Sequence, residues 1–457
     1  MKRLVLMLVG PALLLQACAT ERPPPAAAAV AAPAAWRGDL GPGVVDPAWW
    51  RGFGDPVLTL LVETAVANNT DVAIAASRVE EARAQTRVSR SALLPTLDLG
   101  VGGQRTRSLG ALGQVTESDT AEPQLQVAYE VDLWGRLRDL DAAARASLLA
   151  SGAARDATAL SVAGATASGY IALRSLDARL VVARETVAAR AEALRLARRR
   201  AETGYTSRLE LHQAEAEYQS AAQAVPQLEL AVTRQENALR VLLGEAPGDV
   251  ARGAALAALL APPTPGGLPS ELLRRRPDIA QAEQSLVAAD RSYDAARAQL
   301  LPQVRLTGAV GELFVRGVDD PVEVWSAGGS VLAPLFNGGR LRAQAEAAGS
   351  RRDQAAFAYR RTALAAFREV EDALAAVRRL AELEASVQAQ RDAAAEAQRI
   401  ARNRYQAGYA SFLEELDAQR TLFAAELALI QARGDRLNAA VSLYQALGGG
   451  WAGVATP

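Results

Sequence analysis

Two periodicities divide the chain. Leu97, Leu99 and Val101 alternate with Asp98, Gly100 and Gly102, and Leu125, Val127, Tyr129, Val131 and Leu133 alternate with Gln126, Ala128, Glu130 and Asp132. A period of two puts successive side chains on opposite faces of a strand, which predicts a strand pair with one apolar face. The pattern returns at Val304, Leu306 and Val310, alternating with Arg305 and Thr307, and Val331, Ala333 and Leu335 suggest the return strand. Elsewhere apolar positions recur at gaps of three and four, as in Leu173, Leu176, Leu180 and Ala183, which fits helices packed side by side. Two such stretches, about 136–202 and 340–406, each span on the order of 95 Å at 1.5 Å per residue. Gly204-Tyr205 and Gly408-Tyr409 read as the turns where each long helix reverses into a partner, about 207–243 and 411–447, with Ser207 and Ser411 as N-caps.

The two halves are copies. Gly204-Tyr205-Thr206-Ser207 answers Gly408-Tyr409-Ala410-Ser411 at an offset of 204 residues, and Gly135-Arg136-Leu137-Arg138 answers Gly339-Arg340-Leu341-Arg342 at the same offset. Leu209-Glu210 likewise recurs as Leu413-Glu414, and Leu94-Pro95 as Leu301-Pro302. Such self-similarity predicts a fold of two equivalent units, each a strand pair followed by a long helical hairpin. The first unit covers 48–244 and the second 271–450, ahead of a short tail at 451–457. Between them, 245–270 contains Pro247, Pro262-Pro263, Pro265 and Gly266-Gly267 and reads as a connector. Asn68-Asn69-Thr70-Asp71 marks a break and N-cap within the leading helices, while Trp49-Trp50 reads as a packing anchor. Arg274-Arg275-Arg276-Pro277-Asp278 reads as a solvated, capped helix start.

Composition removes several function classes. Half the residues are hydrophobic but only 5% are aromatic, and alanine dominates, which suits closely packed helices. Fifty basic residues balance 51 acidic ones, without the excess that marks a nucleic-acid surface. Cys18 is the only cysteine and His212 the only histidine, so intrachain disulfides are impossible and Cys/His catalytic or metal sites are not expected. No serine sits on a glycine elbow. We expect neither an enzyme nor a cofactor beyond a covalent lipid.

That lipid is read from the N-terminus. Lys2-Arg3 and the apolar run from Leu4 to Leu15 make a secretory signal, 1–17, too short for the roughly 20 residues that span a bilayer. It ends in Leu15-Gln16-Ala17-Cys18, which resembles a bacterial lipobox with Cys18 as the lipidated first mature residue; Ala19 then favours the outer membrane by the same resemblance. The Pro/Ala/Gly-rich segment 18–47 reads as an extended tether.

Four strands of membrane length cannot close, since the smallest transmembrane barrels have about eight and an open edge in lipid leaves backbone groups unsatisfied. The alternation alone fits a soluble sheet on a core equally well. The order of motifs adds to this: Trp49-Trp50, Phe53 and Asp55-Pro56, then the run from Tyr129 to Arg136, Leu272 to Asp278, Pro334 to Arg340, and Leu416-Asp417-Ala418-Gln419-Arg420. With the lipobox, it resembles the TolC-like outer-membrane efflux family, in the lipoprotein branch (OprM- or NodT-like) that serves RND multidrug pumps. The resemblance implies a mainly α fold with a membrane β-barrel portion: a homotrimer whose twelve strands close one barrel that continues into a periplasmic α-helical barrel. It further implies a passive export duct for drugs and small toxic compounds in the outer membrane, working with a periplasmic adaptor and an inner-membrane RND pump. On the same resemblance, Leu413, Asp417 and Arg420, spaced i, i+4 and i+7 near the Gly408 turn, form a periplasmic gate; a surface Asp417–Arg420 pair is the bland alternative. A protein-secretion duct, or a periplasmic adaptor or structural helical lipoprotein, are the competing functions.

Overall fold

The computed structural model describes residues 25–38, 45–109, 113–264 and 268–451. The signal 1–17, Cys18, Pro265, Gly266-Gly267 and nearly all of the tail lie outside the described residues. The first half runs α1 (Pro56–Asn68), α2 (Thr70–Ser91), β1 (Thr96–Leu109), β2 (Val115–Val131), α3 (Arg136–Glu202), α4 (Arg208–Ala222) and α5 (Ala224–Leu242). The second runs α6 (Pro269–Arg275), α7 (Pro277–Ala298), β3 (Gln303–Val315), β4 (Val322–Leu332), α8 (Arg340–Gln406) and α9 (Phe412–Ala446).

Local chemistry sets most of these limits. Asn69 caps α2, its side chain accepting from Asp71 N and Val72 N, and its amide nitrogen donates to Leu242 O at 2.9 Å. Ser207 and Ser411 each accept from the backbone N–H three residues on, at 3.4 Å. Both long helices have 67 residues, about 100 Å. Each ends in the same turn: Tyr205 N reaches Arg200 O and Tyr409 N reaches Arg404 O, both at 2.8 Å. Gly204 (φ 71°) and Gly408 (φ 80°) supply the left-handed residue that this turn needs.

The two halves differ where proline intervenes. A single return helix over 207–243 is expected, yet the helix breaks at Gln223 between α4 and α5. Pro226 is the reason, having no N–H to give Ala222 O and a ring that crowds that carbonyl. Its counterpart 204 residues on is Ile430, and α9 runs unbroken. The return strand is also corrected: β4 ends at Leu332, so Ala333 and Leu335 lie beyond it, as Leu133 lies beyond β2.

The core is a girdle about halfway down the long helices, some 45 Å from their sheet ends by the helical rise. Trp49, Phe53, Leu58 and Val62 pack there on Tyr170, Ile171 and Leu173 of α3, Val370 of α8, and Val441 and Tyr444 of α9. Trp49 anchors the packing as expected, stacked on Tyr444 at 5.5 Å and 16°. Asp55 ties the girdle to the chain's other segments. One carboxylate oxygen caps α1 through Val57 N at 2.8 Å; the other accepts from Tyr170 Oη at 2.7 Å and Ala254 N at 2.9 Å. Tyr170 Oη in turn accepts from Gly253 N at 2.9 Å. Burial, then the bond to Asp55, pushes the Tyr170 phenol up to about 12.

Two further expectations change. Arg276 is not solvated: it is buried, donating to both oxygens of Asp278 at 2.9 and 2.7 Å, to Glu369 at 2.7 Å and to Ala446 O at 3.1 Å. Desolvation alone would make a buried guanidinium costly, so both carboxylates are needed to hold it there. The described part of the tether, 25–38, makes a 3-10 turn at Ala26–Ala28 and docks along α8, with Ala28 against Ala356, Trp36 on Phe367 at 6.2 Å, and Arg37 N on Glu371 at 3.0 Å. Asp55→Ala should cost about 3 kcal/mol, because it strips an N-cap and leaves a buried hydroxyl and amide unpaired. Circular dichroism melting should show the loss as an earlier collapse of helix signal, with Tyr170→Phe less affected.

Candidate functional site: the sheet and the helical tip

The two ends of the molecule carry its functional geometry. At one end, the four strands form a single antiparallel sheet in the order β1-β2-β3-β4, with β1 and β4 as unpaired edges. The registers Leu97↔Val127, Leu99↔Leu125, Leu125↔Val310 and Val310↔Trp325 put these side chains on one face, together with Tyr129, Val131, Val304, Leu306 and Val331. Thr96, Asp98, Gln126, Glu130, Arg305, Thr307 and Ser330 take the other. The apolar face is solvent-exposed within one chain: Leu97, Leu99, Val101, Trp325 and Val331 are each at least 66% accessible. A soluble sheet would cover such a face. From Val131 to Ala121 it extends ten residues, about 33 Å along the strand, or about 25 Å once tilted as in membrane barrels. Beyond it the same face becomes charged, with Arg105 opposite Asp119 and Arg107 opposite Glu117. An apolar band of bilayer height bounded by charge is a membrane-facing wall.

Inside that wall β2 and β3 approach closely. A Cβ on Gly311 would come within 2.3 Å of Pro123 O, so only glycine fits. The ladder lapses at Glu122 and Pro123, where proline has no N–H to offer.

At the far end the two helical hairpins meet at their tips. Leu413 and Asp417 are exposed, on the side of α9 away from the buried Phe412, Glu415 and Leu416. Arg420 does not join Asp417 in a salt bridge among the described residues. It crosses to the first hairpin and donates through Nε to Glu217 Oε1 at 3.0 Å, with a second bond from Nη2, and Arg190 on α3 lies 3.6 Å from the same carboxylate. Asp417 still acts on Arg420 electrostatically, behind Glu217. The structure therefore separates the sequence's trio into an exposed leucine and aspartate and an arginine bonded within the chain.

A second crosslink lies nearby. Tyr405 Oη, on α8, donates to Glu210 on α4, while Arg200 sits 5.0 Å over the tyrosine ring. Burial and then the Glu210 bond push the Tyr405 phenol well above its ordinary range, so it remains a donor at any working pH. Tyr405, Phe412 and Leu416 pack with Ala197 and Ala214 into a small apolar plug. Sequence reasoning missed Tyr405, Glu210, Glu217 and Arg190. A signal existed: Tyr405, Arg420 and Glu217 stand where the repeat partner is Ala201, Ala216 and Thr421, so the tip is held where the copies diverge.

With this geometry in view, comparison with known proteins is decisive. The profile of the outer membrane efflux protein family matches residues 61–245 and 268–449, one match per half. The chain belongs to this family. It is 34% identical to the toluene efflux pump outer membrane protein TtgC of Pseudomonas putida, over 89% of this chain and 86% of that one. It is also 34% identical to the pyoverdine export outer membrane protein OpmQ of Pseudomonas aeruginosa, over 98% and 97%. Among solved structures, a Pseudomonas aeruginosa membrane protein superposes with TM-score 0.85 at 33% identity, covering 94% of this chain and 97% of that one. The open-state MtrE outer membrane channel of Neisseria gonorrhoeae gives 0.84 at 30%, covering 96% and 99%. The chain is thus an outer-membrane efflux channel of TolC-like fold.

One tip residue is poised to titrate. Burial raises the Glu415 carboxyl above its ordinary value of 4.5, opposed by Arg402, by the Gln419 amide at 2.9 Å, and by Arg190 and Arg200. The folded tip then holds this proton more tightly than the unfolded chain does. Its stabilising contribution is present at acid pH and lost as pH rises through the raised value. Hydrogen exchange over 405–420 should show tighter protection at acid than at neutral pH, and Glu415→Gln should abolish the difference.

Proposed function

We propose that the chain works as a lipid-anchored homotrimer: a passive duct that takes small toxic compounds from an inner-membrane RND pump through a periplasmic adaptor and releases them outside. The observation that carries this is the four-stranded sheet, with its bilayer-height apolar face and two open edges, standing on helical hairpins about 100 Å long. Such edges in lipid require other copies, and helices of that length require neighbours along their whole exposed flank. Three copies would give the twelve strands that the family resemblance implies. Relatives named for toluene efflux and for pyoverdine export support small organic compounds as cargo.

The docked tether supports the anchor on Cys18. Ala28 lies beside Ala356, which is 16 residues along α8 from Arg340 at the sheet end, about 24 Å away. Cys18 is ten residues before Ala28, a span of at most about 35 Å. That span is long enough for a lipid on Cys18 to reach the membrane at the base of the sheet.

In the gate we propose, Leu413 and Asp417 line the constriction, while Arg420–Glu217 and Tyr405–Glu210 hold the second hairpin against the first. Opening then amounts to swinging α8 and α9 away from α4, and the partner proteins supply contacts that replace these bonds. Purified protein in planar bilayers should conduct several-fold more as Asp417→Ala/Arg420→Ala than as wild type, and Glu217→Gln should move in the same direction; unchanged conductance removes them from the gate. Cys18→Ser should lose the lipid mass by mass spectrometry yet still need detergent, because the sheet rather than the acyl chains does the spanning.

A further inference from the structure

The two edges of the sheet carry opposite charge at the same height. Glu312 and Glu323 are directly opposed in the β3–β4 register, both exposed, on the face that bears Val310 and Trp325. Like charges so placed weaken a strand pair unless something compensates. No salt bridge among the described residues reaches either glutamate. The ion pairs of this end run across β1, β2 and the residue that follows β3: Arg105 with Glu117 and Asp119 at 3.3 Å each, Arg107 with Glu117 at 3.5 Å, and Arg316 with Asp119 at 2.7 Å. Three guanidiniums share two carboxylates there. Arg105 and Arg107 belong to the β1 edge, and their side chains are 68% and 72% exposed.

Heights match as well. Arg105 stands nine residues above Thr96 at the base of β1, Glu312 nine above Gln303, and Glu323 nine from Leu332. All three therefore lie about 30 Å from the base along the strand. Register puts all of them on the apolar, membrane-facing side, just where that side turns polar.

We propose that a second copy of this chain supplies the missing countercharge. At each seam of the barrel, the Arg105/Arg107 end of β1 in one protomer abuts the Glu312/Glu323 pair beside the β4 edge of its neighbour, forming a charge clasp at the extracellular rim. This rests on the oligomeric-barrel reading above. The clasp selects the pairing: β1 against β4 brings opposite charges together, whereas β1 against β1 or β4 against β4 sets like charges side by side. Only the head-to-tail arrangement closes into a ring. At the boundary of the apolar band the pair is partly shielded from water, where it acts more strongly than a fully exposed one.

The test uses the full-length protein in detergent, with the temperature at which the oligomer dissociates on gels as the readout. Glu312→Arg/Glu323→Arg and Arg105→Glu/Arg107→Glu should each lower that temperature by several degrees, and the four substitutions together should recover most of the loss. A combined variant no better than the worse pair, or pairs indistinguishable from wild type, overturns the clasp. Because a reversed pair can fail to assemble for other reasons, salt supplies a second measurement. Added sodium chloride should lower the wild-type dissociation temperature and leave Glu312→Gln/Glu323→Gln unaffected; equal salt response overturns the proposal. Loss of the wild-type oligomer on chelation with EDTA, without rescue by the charge swap, assigns the glutamates to a divalent cation and also overturns it. A wild-type protein that is monomeric in mild detergent rejects the oligomeric reading itself.

Discussion

Backbone hydrogen bonding at the sheet's edges is the constraint on which everything else depends. In hydrocarbon each unpaired N–H or C=O costs several kcal/mol, so strands spanning a membrane must close. Four strands per chain cannot do so. The oligomer we propose answers that deficit rather than a general stickiness of the surface, and in it the exposed apolar face of one chain would form part of a continuous wall. The same logic extends to the helices, whose alanine-rich flanks neighbouring hairpins would cover in the proposed oligomer.

The girdle gives this long object a fixed point. Asp55, Tyr170 and the backbone of Gly253 and Ala254 join the start of α1, α3 and the connector in one buried cluster. Arg276 does the corresponding work for the second half, linking the start of α7 to α8 and the end of α9. The girdle lies between the sheet at one end of the long helices and the tip at the other. Among the described residues, the contacts between hairpins at the tip include the bonds from Arg420 to Glu217 and from Tyr405 to Glu210 and the Arg200 guanidinium over the Tyr405 ring, around an apolar plug of five buried residues.

The internal repeat clarifies the division of labour. Positions that build the framework recur in both halves with the same backbone conformation, as at Gly204 and Gly408. Some departures between the halves have structural consequences. Pro226 against Ile430 breaks one return helix and leaves the other whole. Tyr405, Arg420 and Glu217 replace an alanine, an alanine and a threonine, and so allow one hairpin to be fastened to the other.

Periodicity and repetition by themselves determined the strand pairs, the two long helices, the glycine turns and their serine caps, because each depends on residues close in sequence. The resemblance carried by ordered motifs was enough to place the family. What only the tertiary structure decided were the partners of long side chains. Arg420 sits three residues from Asp417 on one helix, and nothing local says that it prefers Glu217, 203 positions away. Arg276 reads as a solvated cap because Glu369 and Ala446 O are far along the chain, and the docking of the extended tether is not legible because the surface of α8 that receives Ala28, Trp36 and Arg37 is assembled only on folding. Helix and strand follow from neighbours in sequence, while charge pairing and docking follow from neighbours in space, and a chain of two similarly built halves offers many alternatives for the latter.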